Sequence, residues 1–219
     1  GTDQVGRDLL SRLMYAGRIS LFVALGAEVL AILIGVPIGL LAGYYGGLID
    51  SLLMRTIDGL LAFPSILLAL VIASIFNYGY PPVLLAIGIT LVPGIARMVR
   101  AGTLREKEME YAMASRAMGA SARRTVLRHI LPNTFPEIMV QITLGMAVAV
   151  LIEATLSFLG MGVQPPDSSW GTQLKLGYRE IWITPWLVTF PGLVIFAAVW
   201  SLNVIGDSLR DTLDPRLRT

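Results

Sequence analysis

Residues 59–96 read GLLAFPSILLALVIASIFNYGYPPVLLAIGITLVPGIA, 38 positions from Gly59 to Ala96 without one charged side chain. A bilayer's hydrocarbon core takes about 20 residues of helix, so the run is too long for a single crossing. It is punctuated by Asn77-Tyr78-Gly79-Tyr80-Pro81-Pro82, a turn signal of Asn, Gly and Pro. The reading is a tight hairpin between two spans, 52–76 and 82–98, the first carrying Arg55 and Asp58 near its start.

The same pattern extends in both directions. Ile19 to Ile49 holds one charge, Glu28, and accommodates a span at 19–43. A fourth span covers 136–160, with Glu153 well inside it, and a fifth covers 186–206 within the uncharged run Ile181–Gly206. Five spans of about 20 residues use about 100 of the 219 positions. That fits a chain that is 55% hydrophobic and only 15% charged, with mean hydropathy +0.70. Soluble domains carry roughly 25% charged residues. The fold class is therefore all-α, a polytopic transmembrane helical bundle in one domain over 1–219. Disorder, a nucleic-acid module and a disulfide scaffold are excluded, because apolar content is high, net charge is +2 and cysteine is absent.

Lysine and arginine set the orientation. Arg97, Arg100, Arg105, Lys107, Arg116, Arg123, Arg124 and Arg128 fall in one connection, while Arg55, Arg210, Arg216 and Arg218 share its side. The opposite side holds Arg7, Arg12, Arg18, Lys175 and Arg179. This places 97–135 and the C-terminus in the cytoplasm and the N-terminal segment, 1–18, outside. An external start at Gly1 implies one further span upstream, six in the full-length protein. Pro37, Pro64, Pro93 and Pro191 lie in apolar runs and read as membrane-helix kinks. Gly35, Gly39 and Gly43 form a smooth strip for close helix approach, within the chain or against a partner.

Within the cationic connection, 109–132 has helical periodicity in Met109, Ala112 and Met113 and again in Leu127, Ile130 and Leu131. Gly119 then Ser121 reads as a helix end followed by a new N-cap, hence a helix-turn-helix. The plain alternative is a loop that binds lipid headgroups. The sharper one is a docking surface, because Ala112, Ala114, Ser115, Ala117 and Ala120 leave room for a partner.

Ala114-Ser115-Arg116-Ala117-Met118-Gly119, followed by Leu131-Pro132, resembles the EAA motif of permease subunits in binding-protein-dependent ABC importers. The E-A-A positions fall on Met113, Ala114 and Ser115. Met113, Ser115 and His129 depart from the pattern, while Gly119, Leu131 and Pro132 hold its spacing. Gly1-Thr2-Asp3-Gln4-Val5-Gly6-Arg7-Asp8 is similar to the external segment of the second permease (C-type subunit) in the dipeptide, oligopeptide and nickel branch. Similar agreement appears at 42–47, at 156–160 with 164–166, at Ser169-Trp170-Gly171, at Gly206-Asp207 and at 213–216. The resemblance implies the MetI-like permease fold in the cell (inner) membrane. It also implies ATPase coupling through Met113, Ala114, Ser115, Gly119, Leu131 and Pro132. Implied partners are a second permease, cytoplasmic ATPase subunits carrying ATP-Mg, and an external substrate-binding protein, with membrane lipids around them. Peptides are the leading cargo, ahead of nickel complexes.

No cofactor is expected on this chain, since it lacks a G-x-x-x-x-G-K-[ST] phosphate loop. Glu153 and Glu28 are the carboxylates inside spans and the translocation-pathway candidates. A protonated structural Glu is the alternative for Glu153. A structural or lipid-headgroup role is favoured for Glu28. His129, the lone histidine, reads as a helix-end cation or groove contact, and no metal site or catalytic residue is expected. Asp3, Arg7 and Asp8 either meet the binding protein or cap a short external helix. The rival to an ATP-driven importer is a proton-coupled secondary transporter relaying through Glu153 or Glu28.

Overall fold

The computed structural model describes residues 1–3, 6–76, 79–164 and 166–213. Asp8 starts the first helix, α1 (Leu9–Tyr45), by accepting from the Ser11 amide at 2.8 Å. Its side chain thus satisfies one of the free amides of the first turn. α1 ends at Gly46, where φ is +66°, and α2 (Gly47–Leu61) follows directly. α3 (Ser65–Ile75), α4 (Tyr80–Glu106), α5 (Glu110–Ala117) and α6 (Ala122–Thr125) come next. A π-helical turn, Val126–Ile130, joins α6 to α7 (Leu131–Leu159), and α8 (Trp170–Tyr178) and α9 (Trp186–Leu213) complete the described elements.

Four helical stretches are long and apolar enough to cross a membrane: α1, α4, the continuous Ala122–Leu159 and α9. α2 and α3 make a fifth if the bent pair is one crossing. That pair corrects the straight span expected at 52–76, because the two helices meet at 90°. Pro64 caps α3 with ψ +130° and has no N–H to offer the preceding turn, so the apolar run breaks there instead of kinking. The expected turn residues Asn77 and Tyr78 lie outside the described residues. Pro81 and Pro82 sit in the first turn of α4, where a missing N–H costs nothing. α1 begins ten residues ahead of the expected span, so 9–18 is helix continuous with the apolar stretch.

α1 and α4 make the closest seam of the bundle. A β-carbon on Gly35 would stand 2.9 Å from Ile95, on Gly39 2.6 Å from the Ala96 carbonyl, and on Gly43 2.6 Å from Thr103. The predicted glycine strip thus serves packing within the chain. Two apolar clusters fill the bundle. One gathers Val23, Ala27, Val83, Ile87, Val150 and Leu156, and the other Ile57, Ile95, Val99, Ile130 and Ile138. α9 is nearly bare: in its apolar stretch only 6% is buried, and Phe190, Leu193, Phe196 and Trp200 face outward. In a bilayer that surface meets lipid or another membrane subunit.

Candidate functional site

The helix-turn-helix is closed by hydrogen bonds its own sequence dictates. Past Met118, Gly119 takes φ +79°, a conformation that a β-carbon would strain. The Gly119 amide donates to the Arg116 carbonyl at 2.9 Å and the Ala120 amide to the Ser115 carbonyl at 3.1 Å. This is a Schellman closure of α5. Ser121 then caps α6, accepting from the Arg124 amide at 3.4 Å. The Ser115 and Thr125 hydroxyls meet at 3.3 Å and hold the two arms together.

The pattern of exposure separates inside from outside. Ala112, Ser115, Thr125 and Ile130 are buried, whereas Met113, Ala114, Gly119, Leu127 and Pro132 are exposed and Leu131 is half-buried. Met118 is 82% exposed. An apolar ridge on the most polar connection of the chain is a surface suited to a partner. The π-helical turn lies just before Pro132, whose ring would press on the carbonyl four residues back in a regular helix. The Leu131 amide bonds instead to the Val126 carbonyl, five residues back. His129 sits in this turn rather than at a helix end, its ring 6.3 Å from that of Tyr111. Burial and a hydrogen bond to Glu106 push the Tyr111 hydroxyl up to about 12.

Acidic residues to which the sequence reading gave no role tie this end of the bundle together. Arg100 reaches both oxygens of Asp50 at 2.5 and 2.6 Å, and Arg97 reaches Asp58 at 2.5 Å, fastening α2 to α4. Arg105 pairs with Glu137 at 2.7 Å, and Lys107 donates to the Gly43 carbonyl at 2.9 Å. The available signal was Asp50 and Asp58, eight residues apart and so on one face of α2.

Glu153 is fully buried where α1, α7 and α8 meet. Ser20 donates to one carboxyl oxygen at 2.9 Å and Ser157 to the other at 2.7 Å. The Trp170 amide donates to Ser20 at 3.1 Å, and its indole N–H to the Leu13 carbonyl at 3.0 Å. The geometry is that of a helix fastener, and it seats the start of α8 against Gly17. Glu28 is 1% exposed, packs against Gly145 and has no hydrogen-bond partner among the described residues. Burial that complete rules out the lipid-headgroup role. At the far end Asp3 pairs with Arg7 at 2.8 Å, while Asp8 caps α1. The Ser11 hydroxyl and amide hold the Asp8 carboxyl below the usual carboxylate range.

Apolar crossings wrapped around a buried polar fastener, with a closed helix-turn-helix at the cationic end, define a multi-pass helical membrane protein. Residues 35–219 match the family described as binding-protein-dependent transport system inner membrane component. The chain belongs to this family, the permease subunits of ABC importers. It is 44% identical over 219 residues to the dipeptide transport system permease protein DppC of Alkalihalophilus pseudofirmus, covering 100% of this chain and 72% of that one. The glutathione transport system permease protein GsiD of Pectobacterium atrosepticum is 41% identical, covering 100% and 73%. The fold is similar to that of the inward-facing MetNI methionine ABC transporter, with TM-score 0.78 at 20% identity, over 94% of this chain and 98% of that one. The proton-coupled carrier relaying through Glu153 or Glu28 is set aside by the family match.

Proposed function

We propose that this permease forms half of a peptide pathway, pairs with a second permease, and takes its energy from a separate ATPase docked on 109–132. The observation that carries the reading is the exposed ridge of Met113, Ala114 and Met118 beside the Gly119 turn, on a helix that the Ser115–Thr125 contact ties to the stretch Ala122–Leu159 running into α7. Relatives named for dipeptide transport support peptide cargo, with an extracytoplasmic binding protein delivering it. ATP-Mg belongs to the partner, since this chain carries no phosphate loop. In this arrangement 97–135 and 207–219 face the cytoplasm, and the N-terminal segment and 163–185 face out. Closure of the ATPases then moves the docked segment and switches access between two arrangements of the bundle.

Reconstitution tests it. Peptide uptake into vesicles holding the full assembly should stop when the ATPase's catalytic residues are disabled, and should survive an ionophore. Uptake that ignores the ATPase and collapses with the proton gradient would overturn the reading.

A further inference from the structure

The cations of the cytoplasmic connection divide into two sets. Arg97, Arg100, Arg105, Lys107 and Arg116 are engaged in ion pairs or carbonyl hydrogen bonds. Arg123, Arg124 and Arg128 have no acidic partner among the described residues. Arg123 borders an apolar groove of about 360 Å³ between the last turns of α1 and the start of the α6–α7 rod. Leu40, Leu41 and Tyr44 form one wall, and Val126 and Leu127 the other. A volume of this size falls within the range of small-ligand pockets, about 300–1,000 Å³.

We infer that this groove binds an anionic phospholipid, with its phosphate at Arg123 and an acyl chain along Leu40 and Leu41. The inference rests on the orientation in the functional reading above, which puts this end of α1 at the inner membrane surface. Two features favour lipid over an ATPase side chain. The α1 wall runs from Pro37 to Tyr45, roughly 12 Å along the helix axis, an apolar length that suits an acyl chain better than a single side chain. Tyr44 and Tyr45, packed edge to face at 5.4 Å, mark the headgroup level where aromatic rings collect. An unpaired cation above an apolar slot is complementary to a molecule with an anionic head and an apolar tail.

The test uses the complete transporter, purified with its ATPases, delipidated, and offered phosphatidylglycerol or phosphatidylcholine in nanodiscs without ATP. Native mass spectrometry counts the retained lipid. Wild type should retain phosphatidylglycerol selectively. Arg123→Gln should weaken retention about fivefold, the value of one interfacial cation, and Leu41→Trp should block the groove outright. Leu33→Trp, on the open face of α1 and outside the groove, should retain lipid normally. Equal retention of both lipids, or unchanged retention in the groove variants, would overturn the site. Loss of ATPase binding with lipid retention intact would assign the groove to the ATPase instead. None of these readouts depends on peptide uptake, so failure here is separable from failure of the transport reading.

Discussion

At Gly119 a β-carbon would meet nothing within 4 Å in this chain, yet φ is +79°. Substitution there strains the backbone by about 1–2 kcal/mol without disturbing any packed neighbour. Gly119→Val should therefore reach the membrane at near-normal levels and lose co-purification with the ATPase. Normal association and uptake would return 109–132 to a simple cationic loop. Glu153 poses the opposite case, because everything around it is packed. Glu153→Gln keeps an acceptor for one serine, and the other can rotate its hydroxyl to accept, so thermal stability should change little. Glu153→Leu strands the Ser157 hydroxyl in a buried site and should destabilise the purified permease by about 1–3 kcal/mol. Faster proteolysis between α7 and α8 should accompany it. Equal stability of the two variants would remove the fastener role.

Among elements, the α1–α4 seam is set by glycine. Gly39→Leu puts a β-carbon 2.7 Å from that of Val99 and should cost about 1–3 kcal/mol in a thermal unfolding series. Gly59→Ala, where nothing lies within 4 Å, should be neutral or slightly stabilising. Loss of stability in both would mean that the seam is not what the experiment reads. The strip was legible beforehand because a four-residue repeat is a local property of one helix. So were the apolar stretches and the Gly119–Ser121 turn, which depend on composition and capping residues a few positions apart. The 90° break at Pro64 was not, since a proline in an apolar run is compatible with either a kink or a break, and packing decides. α8 escaped notice for another reason: it is nine residues long and is seated by contacts with Leu13 and Ser20, some 150 positions away. The fates of Glu28 and Glu153 were equally invisible, because hydropathy places a carboxyl at a depth without saying which helix faces it.

For the whole molecule, the cation distribution predicts which surfaces see which compartment. The chain has no cysteine, so single-cysteine labelling needs no background removal. In intact cells an impermeant maleimide should modify Asp167→Cys and leave Ser121→Cys untouched, both positions being exposed. The reverse pattern would invert the topology and with it the docking proposal. The helical stretch Ala122–Leu159, π-helical turn included, has a mechanical consequence. Its 38 residues measure about 57 Å at 1.5 Å per residue, nearly twice the hydrocarbon thickness of about 30 Å. One end lies beside the Ser121 cap and the other beside the Glu153–Ser20–Trp170 cluster. Such a rod acts as a lever arm: pivoted within the bilayer, a swing of about 10° displaces one tip relative to the other by about 10 Å. A small stroke at the Ser121 tip is then carried to the Glu153 end of the bundle, less the bend that the π-helical turn Val126–Ile130 and Pro136 take up.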